Sequence, residues 1–147
     1  MTRTFSIVAL MLLGFNAQAR EDVRLLEAIG QVESGMNRKA VGKSGERGAY
    51  QLKVGTWKDA NDLLELEGRY HYQWSKWRDA TAQDMIASAH LRILRTRFKT
   101  VGILAPTPEQ IALAWNVGFS AAKDRGFRPN DYALRVGNLF RLSSVQR

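Results

Sequence analysis

Residues 33–51 read ESGMNRKAVGKSGERGAYQ, and they decide the fold prediction because they join an apolar helix to a glycine-rich loop. Upstream of this stretch, apolar residues recur at helical spacing, and Gly35 stands where such a helix should stop. Glu33 therefore lies at the C-terminal end of a helix, against apolar neighbours and beside irregular backbone. A carboxyl group in that position can be held in a cleft and stay protonated near neutral pH, as a general acid must.

The N-terminal segment has the pattern of an export signal. Arg3 supplies a positive charge, residues 5–15 (FSIVALMLLGF) form an uncharged apolar run, and residues 17–19 (AQA) match the small-x-small cleavage pattern. The run is shorter than the roughly 20 residues that cross a bilayer, so stable membrane insertion is not expected. The sequence predicts a signal peptide over residues 1–19 with cleavage after Ala19, and a periplasmic or secreted product.

Cysteine content and net charge limit the possible functions of the remaining domain, residues 20–147. The chain of 147 residues has no cysteine and a net charge of +8. It therefore has no lipid-anchoring cysteine, no cysteine-bound metal and no thiol nucleophile. A basic exported protein seldom meets nucleic acid, so an anionic cell-wall polymer is the expected partner. His71 and His90 belong to no ligand-spaced cluster, so we expect neither a metal nor another cofactor. A monomer is expected.

Helical spacing and caps account for most of residues 20–147. Asp22 is the predicted N-cap of a first helix that ends near Ser34 and carries Val23 on its apolar stripe. An uncharged segment after residues 107–110 (TPEQ), a capping-box start, is predicted to be the central helix of the core. The other predicted helices are Thr56–Leu66 with Thr56 as cap, Thr81–Thr100, and a last helix capped by Asn130 with Leu134, Val136 and Leu139 on its stripe.

Residues 68–77 (GRYHYQWSKW) are rich in aromatic side chains and are predicted to be irregular. Flat aromatic faces suit sugar rings, although aromatic side chains more often fill a core. Both interpretations stay open for Tyr70, Tyr72, Trp74 and Trp77.

Three short segments stand out, residues 33–37 (ESGMN), 48–51 (GAYQ) and 114–118 (AWNVG), and Tyr132 follows near the start of the last helix. In order and spacing they resemble the Glu-Ser-Gly-x-Asn, Gly-Leu-Met-Gln and Ala-Tyr-Asn-Ala-Gly motifs and the tyrosine of one protein family, the lysozyme-like lytic transglycosylases of bacteria. The catalytic domain concerned is the soluble-lytic-transglycosylase type of the goose-type lysozyme superfamily. The resemblance covers about Leu25 to Leu139. The sequence departs from the family's usual residues at Ala49, Tyr50 and Trp115.

The resemblance implies a fold, a substrate and a set of site residues. The fold would be mainly α, a lysozyme-like single domain with several helices around a central apolar helix and a small irregular or short β region lining the cleft. The substrate would be the glycan strands of peptidoglycan, with Glu33 as the single catalytic carboxylate that forms a 1,6-anhydro product. The substrate-binding residues that the resemblance implies are Ser34, Tyr50, Gln51, Asn116 and Tyr132.

Other interpretations stay open beside this one. A hydrolysing goose-type lysozyme would need a second carboxylate to direct water, and Glu46, Asp59 and Asp124 are candidates. A non-catalytic basic module that binds the wall is the second alternative. A purely structural role fits Asn116 nearly as well and Tyr132 equally well. Membership of a secretion or wall-remodelling assembly is also left open.

Overall fold

The computed structural model describes the backbone of residues 3–145 and the side chains of residues 17–145. Within that part, isolated antiparallel bridges join Arg47 to Val41 and to Leu52, and a single 3-10 turn spans Trp74–Lys76. The predicted class, mainly α with a small β region, is confirmed. The helices are α1 (Arg3–Ser34), α2 (Val54–Leu66), α3 (Ala80–Thr100), α4 (Pro108–Val117), α5 (Phe119–Asp124) and α6 (Asp131–Val145).

Helix α4 occupies the centre of the core. Four successive residues, Ile111 to Ala114, are buried, so the helix is covered on every side there. It packs against α3, α5 and α6, while α1 packs against α3 and α6 and α2 packs against α3. The predicted capping box is present: the Thr107 side chain accepts from the Gln110 amide, and the Gln110 side chain accepts from the Thr107 amide. The prediction of a central helix with this start is confirmed.

The first helix begins much earlier than Asp22, and the prediction of Asp22 as its cap is wrong. Helix α1 starts at Arg3, and residues 15–22 contain no proline or glycine that would interrupt it. The Asp22 carboxylate instead accepts hydrogen bonds from Gln18, one turn earlier, and from Arg95 of α3. Val23 is 64% exposed, so its place on the apolar stripe was also wrong.

The predicted signal peptide stays a prediction. Its apolar run, residues 5–15, lies almost wholly outside the residues whose side chains are described. Among the described residues, no helix is both long and apolar enough to cross a membrane.

Two other helix predictions need correction in detail. Helix α2 begins at Val54 after the extended residue Lys53, so Thr56 is not its cap. Asn130 does cap α6, because its side-chain oxygen accepts from the amide of Ala133 at 2.9 Å. The face of α6 that meets the core consists of Tyr132, Ala133, Val136, Gly137 and Phe140. Leu134 and Leu139 fall beside this stripe and are exposed, contrary to the prediction.

The aromatic segment before α3 belongs mainly to the core. Trp77 is buried, and Trp74 packs edge-on against Trp57 of α2 with ring centroids 5.4 Å apart. The backbone carbonyl of Tyr72 accepts from the Trp57 indole and from the Asn61 amide. These contacts fix an otherwise irregular segment to α2. Tyr70 is the exposed member of the set.

Candidate active site

Glu33 lies in the last turn of α1, and backbone geometry fixes that end. Gly35 adopts a φ of +63°, a left-handed conformation that glycine reaches without steric cost. The amide of Gly35 donates to the carbonyl of Gln31, and the amide of Met36 donates to that of Gly30. The helix therefore ends sharply, directly after Glu33 and Ser34. This position also exposes the carboxyl to the negative end of the helix dipole, which disfavours ionisation.

The environment of Glu33 favours the protonated form. Burial raises the pKa of its carboxyl above the ordinary 4.5, a hydrogen bond from Tyr132 opposes this rise, and the negative charge of Glu46 adds to it. The Tyr132 hydroxyl, from α6, donates to Glu33 Oε1 at 2.7 Å. Burial and the neighbouring carboxylate also raise the pKa of Tyr132, so the phenol stays a donor. The pair presents a carboxyl group that is held in one orientation and has an elevated pKa.

The loop after α1 is anchored to α3 by Gln83. This fully buried side chain accepts from the amide of Ala49 at 2.8 Å and donates to the carbonyls of Arg38 and Trp77. Gly48 adopts a φ of +77°, and a Cβ there would lie 2.5 Å from Cδ of Gln83. Only glycine allows the loop to approach the amide so closely.

Gln51 and Glu46 come from the same loop and form one wall beside Glu33. Gln51 is a non-glycine residue with a φ of +47°, a strained conformation of the kind that collects at functional sites. Its side-chain amide donates to the Gly48 carbonyl at 2.9 Å. The carboxylate of Glu46 accepts hydrogen bonds from the backbone amides of Glu46 itself and of Ser44, and these lower its pKa. The positive charge of Lys53, whose Nζ lies 3.7 Å from the carboxylate, lowers that pKa further. Glu46 is thus an ionised carboxylate in the neighbourhood of Glu33.

The end of α4 contributes another part of the lining. Asn116 Oδ1 accepts from the side-chain amide of Asn130 at 3.2 Å, which leaves its own NH₂ group to donate elsewhere. Trp115, the preceding residue, packs edge-on against His90 of α3 with ring centroids 4.7 Å apart.

These residues enclose a cleft of about 470 Å³, a volume typical of small-ligand sites. Of the residues that the sequence predicted, Glu33, Gln51 and Asn116 line it, and so does Glu46; Asp59 and Asp124 do not. The remaining lining residues are Gly42, Lys43, Ser44, Leu52, Lys53, Thr56, His90, Trp115, Val117 and Gly118.

Ser34 and Tyr50 have other partners. Ser34 Oγ donates to the Ala49 carbonyl at 2.7 Å and accepts from the Asn37 amide, so it braces the loop. The buried Tyr50 directs its hydroxyl to Asp84 at 2.6 Å, away from this cleft. Burial and Asp84 raise the pKa of the phenol. Neither side chain lines the space beside Glu33, and a substrate contact for either stays a prediction.

The transglycosylase SLT domain model matches residues 14–133. The chain belongs to the transglycosylase SLT domain family. A search of curated proteins found no match.

Among solved structures, the SLT domain is similar to the lytic transglycosylase Slt of Pseudomonas aeruginosa, crystallised as an inactive Glu-to-Gln mutant. The TM-score is 0.58 at 15% sequence identity, over 80% of this chain and 19% of that one. The chain thus spans about a fifth of the length of the solved protein, and the likeness concerns the fold.

A second and larger groove, of about 920 Å³, lies between α1 and α3 of the SLT domain. It contains Tyr50 but not Glu33. Three of its cations are already paired, Arg38 with Asp84, Arg92 with Glu67 and Arg95 with Asp22. The smaller cleft is the better candidate for catalysis, because it holds the carboxyl group whose pKa is raised.

Two residues of the SLT domain site escaped the sequence interpretation. Gln83 and His90 both occupy positions of α3 on or beside its buried face, where an apolar residue is expected. A polar side chain at such a position was the available signal, since a buried polar group needs a partner. In the searched part of the chain, no three histidine or acidic side chains form a group suited to a metal ion.

Proposed function

We propose that this protein is a peptidoglycan lytic transglycosylase that cleaves the β-1,4 bond between N-acetylmuramic acid and N-acetylglucosamine. The observation that carries the proposal is the state of Glu33: a half-buried carboxyl with a raised pKa, held by Tyr132 and open to a cleft. Such a group is suited to general acid catalysis near neutral pH. Family membership supports glycan strands as the substrate.

In the first step, protonated Glu33 donates its proton to the glycosidic oxygen. The bond from that oxygen to C1 of the muramic acid breaks, and the N-acetylglucosamine leaves with a free 4-hydroxyl. In the second step, the Glu33 carboxylate takes the proton of the muramic acid 6-hydroxyl, and that oxygen bonds to C1. The 1,6-anhydro ring closes without water, and Glu33 returns to its protonated form.

The cleft walls supply the contacts that would position the sugar. The free NH₂ group of Asn116 is a donor, because Asn130 occupies the amide oxygen. Gln51 has the converse arrangement, since its NH₂ group is engaged with Gly48 and its oxygen stays available as an acceptor. A hydroxyl or an acetamido group carries both a donor and an acceptor, and so matches the hydrogen-bonding groups that these two amides offer.

The comparisons support this assignment in two ways. The Slt protein is described as a lytic transglycosylase, and the replacement of a glutamate by glutamine is described as making it inactive. An essential glutamate in a protein of the same fold agrees with the role proposed for Glu33. We further propose that residues 1–19 direct export, which brings the domain to peptidoglycan in the periplasm or outside the cell.

The test is the release of soluble fragments from purified peptidoglycan by wild type and by Glu33→Gln. We expect the variant to lose about 10²–10⁴-fold in turnover and to keep binding peptidoglycan. Glu27→Gln, an exposed glutamate on the same helix, is the matched control and should stay active. If Glu33→Gln cleaves as fast as wild type, the assignment of the acid is wrong. If wild type binds the wall without cleaving it, the chain is a non-catalytic wall-binding module.

Glu46 favours a second candidate, a hydrolysing lysozyme. It is an ionised carboxylate in the same cleft, and an inverting hydrolase uses such a group to deprotonate the attacking water. Glu46→Gln separates the two functions. A transglycosylase should keep its activity, with the pKa of Glu33 lowered because a neighbouring negative charge is gone. A hydrolase should lose its activity almost entirely.

A further inference from the structure

His90 is a half-buried imidazole in the Glu33 cleft that the catalytic steps above do not use. It projects from α3, lines the cleft and packs edge-on against Trp115 of α4. Its Nδ1 atom is enclosed, with no hydrogen-bond partner among the described residues. A polar atom left unpaired in a core is costly, and a phenylalanine would fill the same space without that cost. The imidazole therefore has no structural partner that explains it.

The surroundings of His90 favour the neutral form of the ring near neutral pH. Burial lowers the pKa of His90 to about 4, and the positive charge of Arg97 acts in the same direction. A neutral imidazole carries one N–H group and one bare nitrogen. Among buried backbone groups, an N–H without an acceptor is rarer than an unsatisfied carbonyl, and by the same reasoning we assign the enclosed Nδ1 as the bare atom. The proton then resides on Nε2, and because Nδ1 is enclosed, Nε2 is the nitrogen available to a ligand in the cleft.

The His90–Trp115 pair thus offers a donor beside an apolar aromatic surface. An acetamido group has the complementary pattern, because its carbonyl oxygen accepts a hydrogen bond and its methyl group prefers an apolar surface. A sugar hydroxyl would accept the hydrogen bond but would leave the aromatic surface exposed to water. We propose that Nε2–H of His90 donates to the acetamido carbonyl of an N-acetylated sugar in this cleft, and that the residue discriminates acetylated from de-N-acetylated glycan. The inference rests on the proposed function for its substrate class.

Binding to a catalytically inert background tests the inference. Glu33→Gln and the double variant Glu33→Gln/His90→Phe are titrated calorimetrically with soluble glycan strands from peptidoglycan, either native or chemically de-N-acetylated. We expect the phenylalanine to weaken binding of the acetylated strands about three- to tenfold, the value of one neutral hydrogen bond. Binding of the de-N-acetylated strands should change little, so the preference for acetylated glycan shrinks.

Two controls make the result specific. Glu33→Gln/His71→Phe alters an exposed histidine that pairs with Glu65 outside the cleft, and the preference should be unchanged. Glu33→Gln/His90→Gln restores an N–H donor and should recover part of the preference if the phenylalanine acts through the lost hydrogen bond. An unchanged preference in the His90→Phe background, or no glycan binding by Glu33→Gln, overturns the inference. Failure of the wild type to cleave, with the preference still dependent on His90, would overturn the proposed function alone.

Discussion

Replacing Tyr132 with phenylalanine removes one hydroxyl and should shift the pH profile of the enzyme upward. The hydroxyl donates to Glu33 Oε1 at 2.7 Å and stabilises the ionised carboxylate, so it lowers the pKa that burial has raised. A hydrogen bond to a charged group contributes about 1.5–3 kcal/mol, and one pKa unit corresponds to about 1.4 kcal/mol. Because Glu33 is only partly buried, water replaces part of this contact, and we expect a rise of about one unit.

The assay is kcat/KM for the release of soluble fragments from peptidoglycan, measured between about pH 4 and pH 9. The limb on which activity falls with rising pH reports the ionisation of the acid in the free enzyme. In Tyr132→Phe this limb should move up by about one unit, while Tyr70→Phe, at an exposed tyrosine, should leave it in place. A limb that does not move, or moves down, would refute the coupling of Tyr132 to the catalytic acid.

Three stability predictions follow from the same structure. The folded-state pKa of Glu33 lies above its ordinary value, so its contribution to the unfolding free energy is complete below about pH 4.5 and is lost as pH rises through the folded-state pKa. The unfolding temperature of Glu33→Gln should therefore rise relative to that of wild type between pH 4 and pH 7. An equal difference in unfolding temperature at both pH values would contradict this. Gln83→Leu leaves an amide and two carbonyls without partners, and urea titration should show that the free energy of unfolding falls by about 3 kcal/mol or more. The exposed control Gln31→Leu should lower it by under about 0.5 kcal/mol. Equal losses in the two variants would show that Gln83 does not anchor the loop. Gly48→Ala should lower the free energy of unfolding more than Gly45→Ala does in the same titration. Both variants place an alanine in a left-handed backbone conformation, which costs about 1–2 kcal/mol, but only the alanine at position 48 crowds Gln83. The reverse order would show that the loop does not need the close approach.

Capping and turn preferences predicted the helix ends correctly where the deciding interaction lies between residues a few positions apart in the sequence. The capping box at Thr107 and the cap at Asn130 are formed with residues three positions away, and both are present. The end of α1 at Gly35 is likewise a matter of local backbone conformation. Asp22 shows the limit of such rules, because a good capping residue does not start a helix where the preceding residues are already helical.

The site required information that the sequence does not carry locally. Tyr50 follows Ala49 in a family motif, yet its hydroxyl is directed to Asp84, a residue brought near only by the packing of α3. The neutral state of His90 depends on its burial against Trp115 of α4, and the amide of Gln83 binds a loop more than 30 residues upstream. In each case tertiary contact, rather than periodicity or motif, sets the orientation and the chemistry of the side chain.

Mass spectrometry of the muropeptides that wild-type protein releases from purified peptidoglycan tests the central claim most directly. If Glu33 serves as acid and then as base, with no water entering the reaction, the new chain ends should carry 1,6-anhydro-N-acetylmuramic acid. Each such product is lighter by one water than its hydrolysed counterpart, and digestion in ¹⁸O-labelled water should introduce no label. Reducing ends that carry the ¹⁸O label would contradict the claim and identify the protein as a hydrolase.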